Sequence, residues 1–139
     1  MKDASRVCIE LLLKANPVAA SSKILSEKQI VGYKAEEKAL SFLEEHGLIL
    51  VERNFRCRFG EIDLIMRDND VLVFVEVRKR KNSTFGGAAA SVSYAKQQRL
   101  VRTARFYLSG NHRIPVCRFD VFVLDGDRCQ WLKNVIEVE

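Results

Sequence analysis

A single α/β domain, with a mixed central sheet flanked by helices in the core order α-β-β-β-α-β, is what three observations predict. The chain has 139 residues, about one domain's worth and enough to bury roughly two-thirds of its unfolded surface around one core. Residues 27–46 and 93–108 carry apolar side chains at helical spacing. Three strand-like runs lie between these helices and a fourth follows them, an order that points to a mixed sheet between helices.

The elements can be justified in turn. Residues 1–28 read as an N-terminal appendage, in which residues 3–15 could form a weakly amphipathic helix with Val7, Leu11 and Ala15 at i, i+4 spacing, ended by Asn16-Pro17. Glu10 and Lys14 interrupt its apolar run, so neither a signal peptide nor a membrane span is expected. The domain proper is expected over residues 29–139. Its first helix places Ile30, Ala35, Ala39, Phe42 and Leu43 broadly on one side, and Gly47 suits its C-terminal cap. LILVERNFRCR then reads as a strand, and GEIDLIMRDNDVLVFVEVRKR as a hairpin about Asp68-Asn69-Asp70. KNSTFGGAAASVS, with Gly86-Gly87, reads as a flexible connection. The second helix is apolar at Leu100, Val101, Ala104 and Leu108 and basic at Lys96, Arg99, Arg102 and Arg105. CRFDVFVLDG is a further strand, and QWLKNVIEV a short edge or tail.

Composition adds a mild bias. The 23 Lys and Arg against 18 Asp and Glu leave a formal charge of +5, which favours a polyanionic partner. The four cysteines, Cys8, Cys57, Cys117 and Cys129, form no CxxC pair and no Cys-His zinc spacing. That pattern fits free thiols in a reducing compartment, so a cytoplasmic location is expected.

The hairpin carries the chemistry. In its second strand Val71, Val73, Val75 and Val77 share one face, and Leu72, Phe74, Glu76 and Arg78 the other. Such a strand is expected to be central, where an ionised carboxylate costs several kcal/mol unless paired or coordinated. A turn centred between Asn69 and Asp70 would set Asp63 opposite Glu76, and like charges so opposed repel. A divalent cation would turn that conflict into a site, since one or two carboxylates plus waters is what Mg²⁺ takes. The alternative is an ordinary ion pair, with Arg56, Arg58, Arg78 or Arg80 neutralising either acid.

Other residues gather round the pair. Arg78 lies one pleat from Glu76 on the same face, placed to hold a phosphate or to bridge to Glu76; an arginine does not give up its proton and so cannot be a general base. Gln97 shares the apolar stripe of its helix, aimed at the sheet to orient water or phosphate, or else to make a backbone hydrogen bond. Lys96, Arg99 and Arg102 form a basic strip, either a solvated face or a track for a nucleic-acid backbone. Arg56 and Arg58 could grip phosphates, and Lys79, Arg80 and Lys81 continue the cationic surface.

Taken together, GYKAEEKALSFLEEHGLILVERNFRCRFGEIDLIMRDNDVLVFVEVRKR, FGGAAASVSYAKQQRLVRTARFYL and CRFDVFVL resemble the YraN family of small bacterial proteins. That family looks like a member of the restriction-endonuclease-like PD-(D/E)xK superfamily and is similar to archaeal Holliday junction resolvases. The resemblance covers residues 32–125. It implies a restriction-endonuclease-like fold with Asp63 and Glu76 as motif acids that hold Mg²⁺ or Mn²⁺, Glu36 as a helical acid completing the metal site, and Gln97 as the helix residue that follows the E-x-K strand. It implies a metal-dependent endonuclease acting on DNA, including branched or repair and recombination intermediates, by Mg²⁺-activated water attack on a phosphodiester. Catalysis would fall to Asp63, Glu76, Arg78 and Gln97, and nucleic-acid binding to Arg56, Arg58, Lys79, Arg80, Lys96, Arg99 and Arg102. The nuclease motif ends in lysine where this chain has Arg78; Lys96, one turn into the helix, is the residue that could deliver an amine from a different element. The alternative reading is a non-catalytic nucleic-acid-binding module that retains the nuclease fold. Resolvases cut two strands symmetrically and tend to be dimers, which makes a homodimer a further expectation.

Overall fold

The computed structural model describes residues 24–80 and 92–137. The helix expected over residues 3–15, the connection at residues 81–91 with Lys81, and the last two residues of the tail lie outside them.

Helix α1, Glu27–Glu45, opens with a capping box: the Ser26 hydroxyl accepts from the Gln29 amide at 3.3 Å, and Gln29 Oε1 accepts from the Ser26 amide at 2.9 Å. It ends at Gly47, whose φ of +90° suits glycine at a helix C-terminus. Its buried stripe is Ala35, Ala39 and Leu43, whose two alanines let the helix lie close to the sheet. Ile30, expected on that stripe, is 40% exposed, because it falls a turn before the stretch that crosses the sheet.

Three strands follow, β1 (Ile49–Cys57), β2 (Gly60–Asp68) and β3 (Val71–Arg80), then helix α2 (Tyr94–Leu108), β4 (Cys117–Asp125) and β5 (Arg128–Leu132). They form one sheet in the order β1-β2-β3-β4-β5. All neighbours are antiparallel except β3 and β4, because the chain crosses back over the sheet through α2 to make that parallel pair. The expected α-β-β-β-α-β core is therefore present, and the short edge expected near the C-terminus is β5.

β3 is central, and residues 73–76 are buried. On one face Ile62, Ile65, Phe74, Phe119 and Val121 pack against Leu100, Val101 and Ala104 of α2. On the other Leu64, Met66, Val73, Val75 and Phe122 pack against Ala35, Ala39 and Leu43 of α1. The β2–β3 register runs from Asp68↔Val71 to Leu64↔Val75, as a two-residue turn at Asn69-Asp70 demands, and Asn69 takes the left-handed φ of +52° that such a turn needs.

On a third acid-bearing strand the carboxylate is structural. Asp120 of β4 is 1% exposed. It accepts from Arg118 Nε at 3.1 and 3.2 Å, from Trp131 Nε1 at 2.9 Å and from the Asn134 amide at 3.0 Å. Arg118 Nη1 reaches on to Asp68 Oδ2 at 2.9 Å. One carboxylate thus ties β4 to β5, the segment after β5 and the end of β2.

The β1–β2 connection lies against α2. A Cβ on Gly60, whose φ is +148°, would sit 3.1 Å from Thr103 Oγ1. Gly60→Ala combines a backbone conformation closed to alanine with that close approach, so it should cost about 1–3 kcal/mol. A urea midpoint equal to the wild type would show that the connection does not need glycine.

Candidate functional site

The β2–β3 ladder stops at Leu64↔Val75, one step short of Asp63 and Glu76. Beyond it the Val77 amide donates to Asp63 Oδ2 at 2.8 Å, so a side chain takes the place of a strand carbonyl. β2 is irregular at the same point. Ile62 and Ile65 both face α2 while Leu64 and Met66 face α1, so the two-residue alternation slips at Asp63. Asn54 lies across from it between the Arg53↔Leu64 and Phe55↔Ile62 pairs, with a left-handed φ of +54° that is unusual within a strand. The sheet forks here, and Asp63 stands in the fork.

Glu76 follows Val75 on the central strand and faces α2, 6% exposed. Lys96 reaches it from the first turn of α2, with Nζ 3.1 Å from Oε1. The Ser93 hydroxyl fixes that turn by accepting from the Lys96 amide at 3.2 Å. Lys96 therefore serves the acids and leaves Arg99 and Arg102 as the exposed part of the expected basic strip.

Burial, the nearby Glu76 charge and, more weakly, Glu36 push the Asp63 carboxyl up to about 7; the Val77 amide opposes them. Asp63 therefore keeps its proton towards neutrality, since a second negative charge beside Glu76 in a buried site is costly. The folded protein thus holds a proton that an unfolded Asp63, with a value near 3.8, has already released. The contribution of this group to stability is fully present below that lower value and is lost as pH rises from there through 7. In EDTA, Asp63→Asn should abolish this fall, and its advantage over wild type should grow by on the order of 4 kcal/mol between acid and mildly alkaline pH. Urea unfolding across that range checks it, and parallel pH profiles for the two proteins would contradict it.

Glu36, on α1, is turned towards Arg53 of β1, its Oε2 3.5 Å from Nε. The guanidinium also binds Glu37, donates to the Tyr33 carbonyl at 3.4 Å and lies over the Tyr33 ring at 4.4 Å. The Arg53 contact holds the Glu37 carboxyl below its ordinary value. Arg53 as the partner of both helix acids was not legible in the sequence, because only folding brings positions 16 and 17 residues apart into contact. Among the described residues, no three His, Cys, Asp or Glu side chains are grouped to hold a metal ion. The acids in contact are Asp63 and Glu76, with Glu36 acting on Asp63 through its charge.

The remaining candidates are dispersed. Arg78 is partly buried on the Glu76 face, and Arg80 follows it by alternation. Gln97 Nε2 donates to the Val92 carbonyl at 3.1 Å, the backbone bond that was the alternative to a role at the acids. Arg56 pairs across the strands with Glu61 at 3.1 Å, both exposed. Arg58 lies over the rings of Phe59 and Phe106. Lys79 is on the α1 side, lining a cleft of about 310 Å³ with Lys34 and Lys38, so the cationic surface expected past Arg78 divides between the two faces of the sheet. No helix among the described residues is long and apolar enough to cross a membrane.

The model of "Uncharacterised protein family UPF0102" matches residues 35–124, which span α1 from its first buried alanine through β4. A UPF0102 protein of Herminiimonas arsenicoxydans is 54% identical over 110 residues, 79% of this chain and 89% of that protein. One from Nitrosomonas europaea is 52% identical over 109 residues, covering 76% and 92%. One from Psychromonas ingrahamii is 46% identical over 117 residues, covering 83% and 96%. With the match running through both helices and the strands that carry Asp63 and Glu76, the chain belongs to the YraN-like family UPF0102.

Proposed function

We propose that this protein is a metal-dependent endonuclease acting on DNA, with Asp63 and Glu76 at its centre. The observation that carries the reading is the fork itself: two carboxylates in contact inside the sheet, one raised to about 7 and the other held by Lys96. A fold does not keep such a conflict for stability, and perturbed acids of this kind cluster at functional sites.

The residues fit a hard divalent cation. Asp63 and Glu76 are the oxygen donors, and two carboxylates with water completing the sphere suit Mg²⁺ or Mn²⁺. When bound, such an ion supplies a Lewis acid and lowers the pKa of its water. The chain's own groups do the rest. The Val77 amide and the Lys96 ammonium orient the two carboxylates. Arg78, on the same face, is placed to bind a phosphodiester oxygen and to offset charge developing there. Arg99, Arg102 and Arg105 are exposed on α2, which has no acidic residue, and offer the phosphate backbone a track.

One observation favours the binding-module reading instead: Glu76 and Glu36 each have a cationic partner within the chain, Lys96 and Arg53. The two separate in a cleavage assay with Mg²⁺ and with Mn²⁺ on four-way junction, flap, single-stranded and duplex DNA, with Asp63→Asn beside the wild type. Cleavage that requires the ion and is lost in the variant supports the nuclease. If neither protein cuts any substrate while both bind the same DNA, the nuclease reading is wrong.

A further inference from the structure

On the α2 side of the sheet, two aromatic rings that a core would normally absorb stand partly in solvent. Phe59, in the β1–β2 connection, is 36% exposed, and Phe106, in the last turns of α2, is 42% exposed. They meet edge to face at 5.8 Å between centroids. Arg58 lies 4.8 Å from the Phe59 ring and 5.9 Å from the Phe106 ring. Arg99, Arg102 and Phe106 fall at i, i+3 and i+7, one stripe of α2, and both arginines are exposed. Partly exposed aromatic rings beside guanidinium groups, on a helix without a carboxylate, suit unpaired nucleobases. Each base offers a π-face to stack, and its phosphate offers a charge to bind. A duplex, whose bases are already stacked, can use only the arginines.

We infer that Phe59, Phe106 and Arg58 form a stacking platform for unpaired bases, which makes single-stranded segments of DNA the preferred ligand of this surface. The inference rests on the DNA reading above and names the structural feature of the substrate. It also sets a length. Lys96, which holds Glu76, and Phe106 are ten positions apart on one helix, about 15 Å along its axis at 1.5 Å per residue. At about 3.4 Å per nucleotide of a stacked strand, roughly four nucleotides separate the platform from the acids.

The test is binding in EDTA, where cleavage plays no part. Fluorescence anisotropy with a single-stranded oligonucleotide and with a blunt duplex of equal length would be compared for wild type, Phe106→Ala, Phe106→Leu and Phe106→Tyr. Leucine keeps the apolar bulk that packs on Phe59 but removes the ring face, whereas tyrosine keeps the face. The alanine and leucine variants should lose about 5- to 100-fold in affinity for the single strand, with duplex binding changed less than about twofold, and tyrosine should match the wild type. A 2-aminopurine base in the single strand should be quenched by the wild type and not by Phe106→Leu. Wild-type affinity in the leucine variant, or equal loss on single strand and duplex, overturns the platform. Binding to neither ligand overturns both the platform and the DNA reading. The expected binding pattern in a protein that never cleaves would sink the nuclease alone.

Discussion

Asp63→Asn is expected to lower Mg²⁺-dependent DNA cleavage by at least about a thousandfold, roughly 4 kcal/mol of activation free energy. The substitution is nearly isosteric, and the new side-chain oxygen can still accept from the Val77 amide, which binds the carboxylate at 2.8 Å. What disappears is one of the two carboxyl groups that would hold the ion. The same change relieves the conflict that pushes the Asp63 carboxyl up to about 7. The variant should therefore be inactive and, at neutral pH and above, more stable than the wild type. That combination separates a residue kept for chemistry from one kept for architecture, because a structural acid would lose stability when neutralised. The decisive readings are single-turnover cleavage and urea unfolding on the same preparation. Residual activity within tenfold of wild type would remove Asp63 from the reaction.

Asp120→Ala should have the opposite profile, a loss of about 3–5 kcal/mol of stability. Asp120 accepts from Arg118, Trp131 Nε1 and the Asn134 amide. Alanine would strand the two N–H donors and leave the partly buried Arg118 with Asp68 as its remaining anion. The damage should centre on β5 and the segment after it, which the carboxylate holds to β4. Hydrogen exchange should quicken there first, and the urea midpoint should fall. An alanine variant within about 1 kcal/mol of wild type would mean that the network is dispensable.

Most of the fold was legible because it rests on local periodicity. The helical spacing of Ala35, Ala39 and Leu43, the run from Val71 to Val77 and the turn residues Asn69-Asp70 are each a property of a few neighbouring positions. The β2–β3 register follows from that turn, and with it the approach of Asp63 to Glu76. Ile30 was misplaced because periodicity gives the direction of a side chain along a helix but not where the helix leaves the sheet.

The candidate site was legible only in part. Asp63, Glu76 and Asp120 have one signature in the sequence, an acid within an apolar strand, and only the hairpin turn marks the first two as a pair. Asp120 is met by an arginine, an indole and a backbone amide, whereas Asp63 is met by another acid. Lys96 read both as one member of a surface strip and as the residue that could deliver an amine from a different element, and the crossover that laid α2 over β3 brought its ammonium to Glu76. The sequence by itself determined the elements, the hairpin register and the list of charged candidates, since these depend on neighbours along the chain. Only the tertiary structure decided which acids are neutralised and by which groups, because a buried charge is governed by what distant elements bring within a few ångströms of it.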